Sequence, residues 1–521
     1  MKPLAPLSVP LTGRHLIEAS AGTGKTFTIT TLVLRLVVER DMGIERVLVV
    51  TFTKAATAEL RSRVRTRLRD ALDHLDGVVD DPSLRELLAR VEPQVARRRV
   101  ARALSDFDLA AIFTIHGFCQ RVLSEHAFES GARFGLDLLT DTSQLLLDAT
   151  RDEYVRALSA APPSVAREAR RHLRVADLSA LVRTATSSPD TLVQTDAAGP
   201  DPSAVEEYLA ARAPFALEFP GHAPTLRGLL LQPGVLSQQS YKAARVDLAL
   251  AEAERLVGAR SKAVDKLEVL HILSPDALER GTNKGHSTPR HPVLSCIGRL
   301  VSAHAAAQSD LDAQLCHLQV ELVAKVTAGL HAAKERLSVR SFDDLLLGLR
   351  EALRAPGETL SAQLRKRYPV ALVDEFQDTD PVQYEILSRV YAEDATTLFM
   401  IGDPKQAIYA FRGADVFSYL KASRNVGKNR YGLTTSYRAD PSLVHAQNVL
   451  YEGVAAPFVD PAIAYAPITP RPEAVDLLGF EARTRPALDV AFIERAESDN
   501  NKPLHKGVVD AELSARVAVD I

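Results

Sequence analysis

The sequence predicts an α/β fold: a parallel sheet delivered in two halves, with an all-helical insertion between them. Three observations predict it. A glycine-rich loop, Ala19-Ser20-Ala21-Gly22-Thr23-Gly24-Lys25-Thr26, joins the short apolar run Leu16-Ile17 to a helical segment, Phe27 to Glu39. Unbroken apolar runs near 46–51, 370–373 and 397–402 suit strands buried on both faces. Between the halves, from about 126 to 335, alanine, leucine and arginine dominate and strand signals vanish.

Taken in order, Leu16-Ile17 supplies the strand that feeds the loop. Gly22 and Gly24 let the backbone turn its N–H groups toward phosphate oxygens, and the helix N-terminus adds partial positive charge. Lys25 would reach the β- and γ-phosphates, and the Thr26 hydroxyl would serve Mg²⁺. Ala19 stands where the pattern usually has its first glycine. The loop predicts an ATP or GTP site; a glycine-rich turn capping an ordinary helix is the bland alternative. Arg46 to Thr51 reads as a buried strand, Ala55 to Leu72 as a helix, and Ala111 to Thr114 as a third strand before another helix. In the insertion, breaks such as Ala161-Pro162-Pro163 and Gly199-Pro200-Asp201-Pro202 separate helical stretches. The α/β pattern resumes with Val370 to Val373 and Thr397 to Gly402. Past about 430 the chain turns proline-rich (Pro457, Pro461, Pro467, Pro470, Pro472) and closes on a helical segment, Val509 to Val519. There is no internal repeat.

Asp374-Glu375 follows the strand 370–373 directly. A phosphate-loop enzyme needs such a pair opposite its lysine: Asp374 to hold Mg²⁺, Glu375 to orient and deprotonate an attacking water. Acidic pairs after strands also cap helices, so the pair draws its meaning from the loop.

Composition sets wider bounds. A chain of 521 residues accommodates about three or four domains. With 25% charged residues and a net charge of −3, it neither demands nor excludes a nucleic-acid partner. Its arginines cluster (Arg61, Arg63, Arg65, Arg67, Arg69; Arg97-Arg98-Arg99; Arg167, Arg170, Arg171, Arg174), each run reading either as a solvated helix face or as a phosphate contact. Cys119, Cys296 and Cys316 form no Cys-x-x-Cys pair, which argues against a zinc or iron–sulfur site and a disulfide scaffold. No apolar run reaches about 18 residues and no signal pattern opens the chain, so a cytoplasmic location without membrane association is expected.

The motifs together resemble those of the UvrD/Rep branch of superfamily 1 DNA helicases. Ile17 to Thr28 is similar to that family's motif I, including alanine for glycine at Ala19. Thr51-Phe52-Thr53-Lys54-Ala55-Ala56 resembles motif Ia, and Phe113 to Cys119 motif Ib. Asp374 to Gln383 resembles motif II, Ile401 to Asp415 motif III, and Ser436-Tyr437-Arg438 the core of motif IV. Glu375-Phe376-Gln377-Asp378-Thr379-Asp380 is closest to the RecB-type, exodeoxyribonuclease V beta, branch. The resemblance covers residues 1–450.

It implies a RecA-like P-loop NTPase sheet (domain 1A, residues 1–125 and 336–430), interrupted by a helical 1B-like insertion (126–335). Residues 431–521 would open an incomplete second motor domain (2A-like). The implied function is an ATP- and Mg²⁺-dependent helicase or translocase, moving 3′-to-5′ on single-stranded DNA in recombinational repair of double-strand breaks. Single-stranded DNA and duplex ends would be its substrates, and RecC- and RecD-like subunits its partners. Glu375, Gln406 and Arg438 would be catalytic: Gln406 as γ-phosphate sensor, Arg438 as arginine finger. Tyr437 offers a face to adenine. Phe52 and Phe411 are implied base-stacking platforms, each worth about 1–3 kcal/mol per base, with a place in the core as the alternative. His116 would touch the DNA backbone or satisfy a buried hydrogen bond. Arg412 would link nucleotide to DNA or form a surface salt bridge.

The chain departs from the family pattern in several places. No glutamine precedes Gln94, so the adenine-reading Q motif is missing. Motifs V and VI and the RecB-type nuclease are absent; Gly507-Val508-Val509-Asp510 is only faintly like the latter's start. An N-terminal portion of a longer protein is therefore expected. The alternative function is a helicase-like module that binds ATP or DNA without unwinding. A kinase or switch GTPase would have no need of Tyr409-Ala410-Phe411-Arg412.

Overall fold

A computed structural model describes the chain except residues 128–136, 187–189, 198–200, 202, 259–263, 358, 393–395, 410–413, 459, 477–486, 489, 491–504 and 521. It divides into two compact units: Met1–Ala132 with Leu345–Ile521, and Arg133–Asp344.

The first unit is built on a seven-stranded, wholly parallel sheet. Its strands are β1 (Lys2–Pro3), β2 (Gly13–Ala19), β3 (Val47–Thr51), β4 (Ile112–Thr114), β5 (Val370–Val373), β6 (Thr397–Gly402) and β7 (Arg430–Leu433), in spatial order β1-β7-β2-β6-β5-β3-β4. Register is set by pairs such as Ile17 with Ile401, Val373 with Met400 and Val50 with Val373. Every residue of β3, β5 and β6 is buried, which is why these strands read as unbroken apolar runs rather than alternating ones. The order puts the ends of β2, β6 and β5 side by side, and those ends carry three of the motifs. Strand β7 crosses position 430, where the sequence reading divided the first motor domain from the second; Arg46 belongs to a 3₁₀ turn before β3 rather than to the strand.

Helices α1 (Lys25–Arg40) and α2 (Lys54–Leu75) cover one side of the sheet. Ile29, Leu32 and Leu36 of α1 share a core with Val64 and Leu68 of α2 and with Leu372, Phe399 and Ile401 of the strands. In α2 the buried Leu60, Val64, Leu68 and Ala71 recur every three or four residues, a single helical face. Thr53 caps it, its hydroxyl accepting the Ala56 N–H at 3.1 Å. Helix α3 (Ile115–Glu125) follows β4 directly, capped in the same way by Thr114.

The second unit is helical around α4 (Pro292–Leu337), whose 46 residues span about 69 Å. One core gathers on its first half, around Val293, Ile297 and Leu300, and a second on its later half, around Leu322, Val323 and Val326. The described exceptions to helix and loop are a single bridge, Leu236 to Thr282, and a parallel pairing of Asp137–Leu138 with Val339–Arg340. That pairing brings the two ends of the unit together.

Returning to the first unit, α5 (Pro381–Val390) follows the carboxylates after β5, with Asp380 as its cap. Beyond β7, Thr435–Ser436 pairs in parallel with Thr469–Pro470 across a helix that the sequence reading did not anticipate, α6 (Pro441–Glu452). Only Val444 of α6 is buried, so no apolar period announces it. The closing helix runs from Lys506 to Asp520. No described helix is long and apolar enough to cross a membrane, and the three cysteines are free.

Candidate nucleotide site

Strand β2 ends at Ala19, fully buried, and the loop turns over the N-terminus of α1. Gly22 (φ 76°) and Gly24 (φ 92°) both occupy the left-handed region that glycine adopts without strain. The Ser20 carbonyl accepts the Thr23 hydroxyl at 2.7 Å, closing the turn, while Ala21 lies exposed on its crest. Gly24 is the cap residue of α1, so the free N–H groups of the first turn point out of the loop. Thr26 stands exposed on that first turn, as the expected Mg²⁺ contact requires.

Lys25 reaches across the sheet top to the carboxylates. Its Nζ lies 2.7 Å from Glu375 Oε2. Strands β2 and β5 are separated in sequence by some 350 residues, and only the sheet order brings these side chains together. Glu375 has φ 50°, a left-handed backbone that a non-glycine residue adopts only under constraint, as is common at functional sites. Its N–H donates to Asp374 Oδ1 at 3.0 Å. Burial, and then the charge of Glu375, raise the Asp374 pKa from 3.8 to about 6. Asp378 is raised to about 6 by the same two causes in the same order. Lys25 is one cation among three carboxylates, an excess of negative charge that suits a divalent cation.

Tyr437 and Arg438 meet the loop from the other side. The Tyr437 N–H donates to the Gly22 carbonyl at 2.8 Å, and a Cβ at Gly22 would lie 2.5 Å from Arg438 Cβ. Both side chains are exposed. Gln406 sits on a 3₁₀ turn just past β6, its Nε2 donating to Asp403 Oδ2 at 2.7 Å. It does not touch Glu375 directly.

Several residues absent from the expected set join these groups. Gln377 is buried between β5 and β6, donating to Glu375 Oε2 at 2.8 Å and accepting the Asp403 N–H at 2.9 Å. Lys405 Nζ lies 2.5 Å from Glu18 Oε1 and 2.7 Å from Asp403 Oδ1, all three side chains being nearly inaccessible. Burial works against the lysine's charge, but Asp403 and Glu18 outweigh it and hold its pKa above the ordinary value. The one signal in the sequence was charge complementarity: an acid, Glu18, just before the loop and a lysine, Lys405, after a second buried strand.

Phe52, half-buried at the end of β3, stacks on Tyr409 with ring centroids 5.6 Å apart and planes 27° apart. Tyr409 was not among the expected DNA contacts. His116 is half-buried on the first turn of α3. Phe411 and Arg412 lie outside the described residues. A cavity of about 550 Å³ in the second unit is lined by residues such as Glu279, Arg290 and His291 and includes no expected site residue.

Comparison with known proteins bears on this geometry. Residues 4–427 match the UvrD/REP helicase N-terminal domain. The chain is 34% identical to the RecBCD enzyme subunit RecB of Escherichia coli K12, over 94% of its own length and 42% of that protein's. It is 32% identical to the same subunit of Haemophilus influenzae, covering 90% of this chain and 42% of the relative. For Mycolicibacterium smegmatis RecB the identity is 29%, covering 86% and 30%. The chain thus spans less than half the length of these relatives.

Proposed function

Because this chain belongs to the UvrD/REP helicase family, we propose that it is the ATP-driven motor of a RecB-like DNA helicase. Its track would be single-stranded DNA, entered from duplex ends and travelled 3′-to-5′ in repair of double-strand breaks. The observation that carries this reading is the Lys25–Glu375 contact, which sets a phosphate-loop lysine against a strand-end carboxylate. Its relatives are named as subunits of a RecBCD enzyme, which supports RecC- and RecD-like partners for the whole protein.

The chain's own groups divide the work. Backbone N–H groups from Gly22 to Thr26 cradle the phosphates, and Lys25 leaves Glu375 for the β- and γ-oxygens. Glu375, once released, orients the attacking water and accepts its proton. Asp374 and the Thr26 hydroxyl are the oxygen donors for Mg²⁺, which neutralises phosphate charge when bound. The donor set fits that ion: magnesium takes one or two carboxylates plus phosphate oxygens, and Asp374 is a buried carboxylate without full compensation. Gln406 senses the γ-phosphate. Arg438 supplies a fixed positive charge from the far side of the loop, and Tyr437 a face for adenine. Phe52, with Tyr409 stacked on it, offers a platform for bases, and His116, half-buried on the first turn of α3, is the residue assigned to the DNA backbone. Phe411 and Arg412 keep the roles that the motif assigns them.

The alternative reading is a module that binds ATP or DNA without unwinding. Among the described residues after β7 is a short β–α–β unit, Thr435–Ser436, α6 and Thr469–Pro470. Steady-state ATP hydrolysis with and without a single-stranded oligonucleotide decides between them. Lys25→Ala and Glu375→Gln should each lower the DNA-stimulated rate by about a hundredfold or more. Full activity in both variants would overturn the motor reading; a wild-type chain that binds ATP yet never turns it over would favour the module.

A further inference from the structure

The ends of β5 and β6 meet at Gln377. Its side chain is buried, 2% exposed, and its two polar atoms face different motifs. The Asp403 N–H must find an acceptor, so Oε1 of the amide turns toward β6 and the NH₂ group necessarily faces Glu375. The packing here is close: a Cβ on Gly402 would lie 2.4 Å from Gln377 Oε1 and 3.0 Å from its backbone N.

Asp403 is itself pinned. One carboxylate oxygen holds Lys405, whose ammonium also holds Glu18 on the strand entering the phosphate loop. The other accepts the Gln406 amide. A continuous polar circuit therefore runs from Lys25 through Glu375, Gln377 and Asp403 to Gln406 on one branch and back to the loop strand on the other.

Lys25 and Gln377 both donate to the same oxygen, Glu375 Oε2, at 2.7 and 2.8 Å. Lys25 cannot serve Glu375 and a phosphate with equal strength, so nucleotide removes it. Gln377 is then the remaining donor on that oxygen, leaving Oε1 for water. We infer that Gln377 is a positioning residue: it keeps the water-activating carboxylate in register with the strand end that carries Gln406, so that phosphate sensing and proton acceptance shift as one body. This rests on the ATP-site reading above.

The test uses the full chain, ATP, Mg²⁺ and a single-stranded oligonucleotide. Gln377→Met keeps the volume and removes the amide's three hydrogen bonds, to Glu375, Asp378 and Asp403; kcat should fall about tenfold or more while KM for ATP stays within about threefold. Gln377→Glu keeps the acceptor for Asp403 but meets Glu375 with a second negative charge. When protonated, that carboxyl regains a donor, so its kcat should be depressed at about pH 8 and recover toward about pH 6, an acid shift absent from the wild type. A role confined to packing would produce no such recovery. Gln377→Met turning over at the wild-type rate while Glu375→Gln is inactive would overturn the inference, as would a Gln377→Glu variant without acid recovery. A fully active Glu375→Gln would overturn the ATP-site reading, and this inference with it.

Discussion

Asp374 is a carboxylate held short of full charge, and the reason lies in where its strand ends. Burial is the larger cause and the neighbouring Glu375 the second, lifting its pKa from 3.8 to about 6. In that window the folded chain keeps a proton that the unfolded chain has lost. Its contribution to stability therefore falls as pH rises from about 4 to 6 and is level above. A metal cation needs the ionised form, so protons oppose it below about pH 6. The rise in unfolding temperature on adding MgCl₂ to the ADP-bound chain should be small at about pH 5 and complete by about pH 7. A magnesium response equal at both would count against Asp374 as the metal's carboxylate. Magnitudes also separate the two ion pairs of the site. Lys25–Glu375 is partly exposed, 15% and 36%, so it is worth at most about 1 kcal/mol and yields readily to a phosphate. Glu18–Lys405–Asp403 is buried, and removing its lysine would strand two carboxylates at a cost of about 3–5 kcal/mol. The first pair is built to break and the second to hold.

At the scale of elements, the glycine loop and the segment after β7 are joined at one point. Gly22 and Gly24 both have left-handed φ, but their surroundings differ: a Cβ at Gly24 meets nothing closer than Phe27 Cβ at 3.9 Å, while one at Gly22 runs into Arg438 Cβ. Gly24→Ala should therefore cost the conformational strain alone, about 1–2 kcal/mol, and Gly22→Ala distinctly more. Urea unfolding midpoints measure both; equal losses would mean that Arg438 does not rest on the loop. The same elements show what could be read in advance. Strands 370–373 and 397–402 were legible to the residue because total burial writes an unbroken apolar run. The start of α1 was read two residues late, since Lys25 and Thr26 are polar and the cap is a glycine with no side-chain signal. Strands β1 and β7 left no trace, because Lys2–Pro3 and Arg430–Leu433 are strands only by virtue of their neighbours. In the site, the loop and Asp374-Glu375 were legible as local patterns. The Gln377–Asp403–Lys405–Glu18 circuit was not, because it exists only once the ends of β2, β6 and β5 lie side by side.

For the molecule as a whole, the division into two units makes a claim about folding. No strand of the seven-stranded sheet comes from residues 133–344, and the core between α1, α2 and the sheet draws on none of them. The insertion also closes on itself: Asp137 N–H donates to the Ser338 carbonyl at 3.0 Å, and Leu139 N–H to the Arg340 carbonyl at 2.8 Å. Chain leaving and returning at one neck can be shortened without stretching what lies below it. Closing a short flexible loop costs little more entropy than closing a long one, since the cost grows only as the logarithm of length. Replacing residues 140–337 with a glycine–serine linker of about six residues should therefore leave a soluble, cooperatively unfolding protein that still binds ATP with affinity within about threefold of the full chain. Circular dichroism melting and nucleotide titration measure the two properties. Loss of cooperative unfolding would show that the sheet depends on the helical unit for its stability. Cooperative unfolding with lost ATP binding would show instead that the sheet unit folds alone but does not suffice for the nucleotide site.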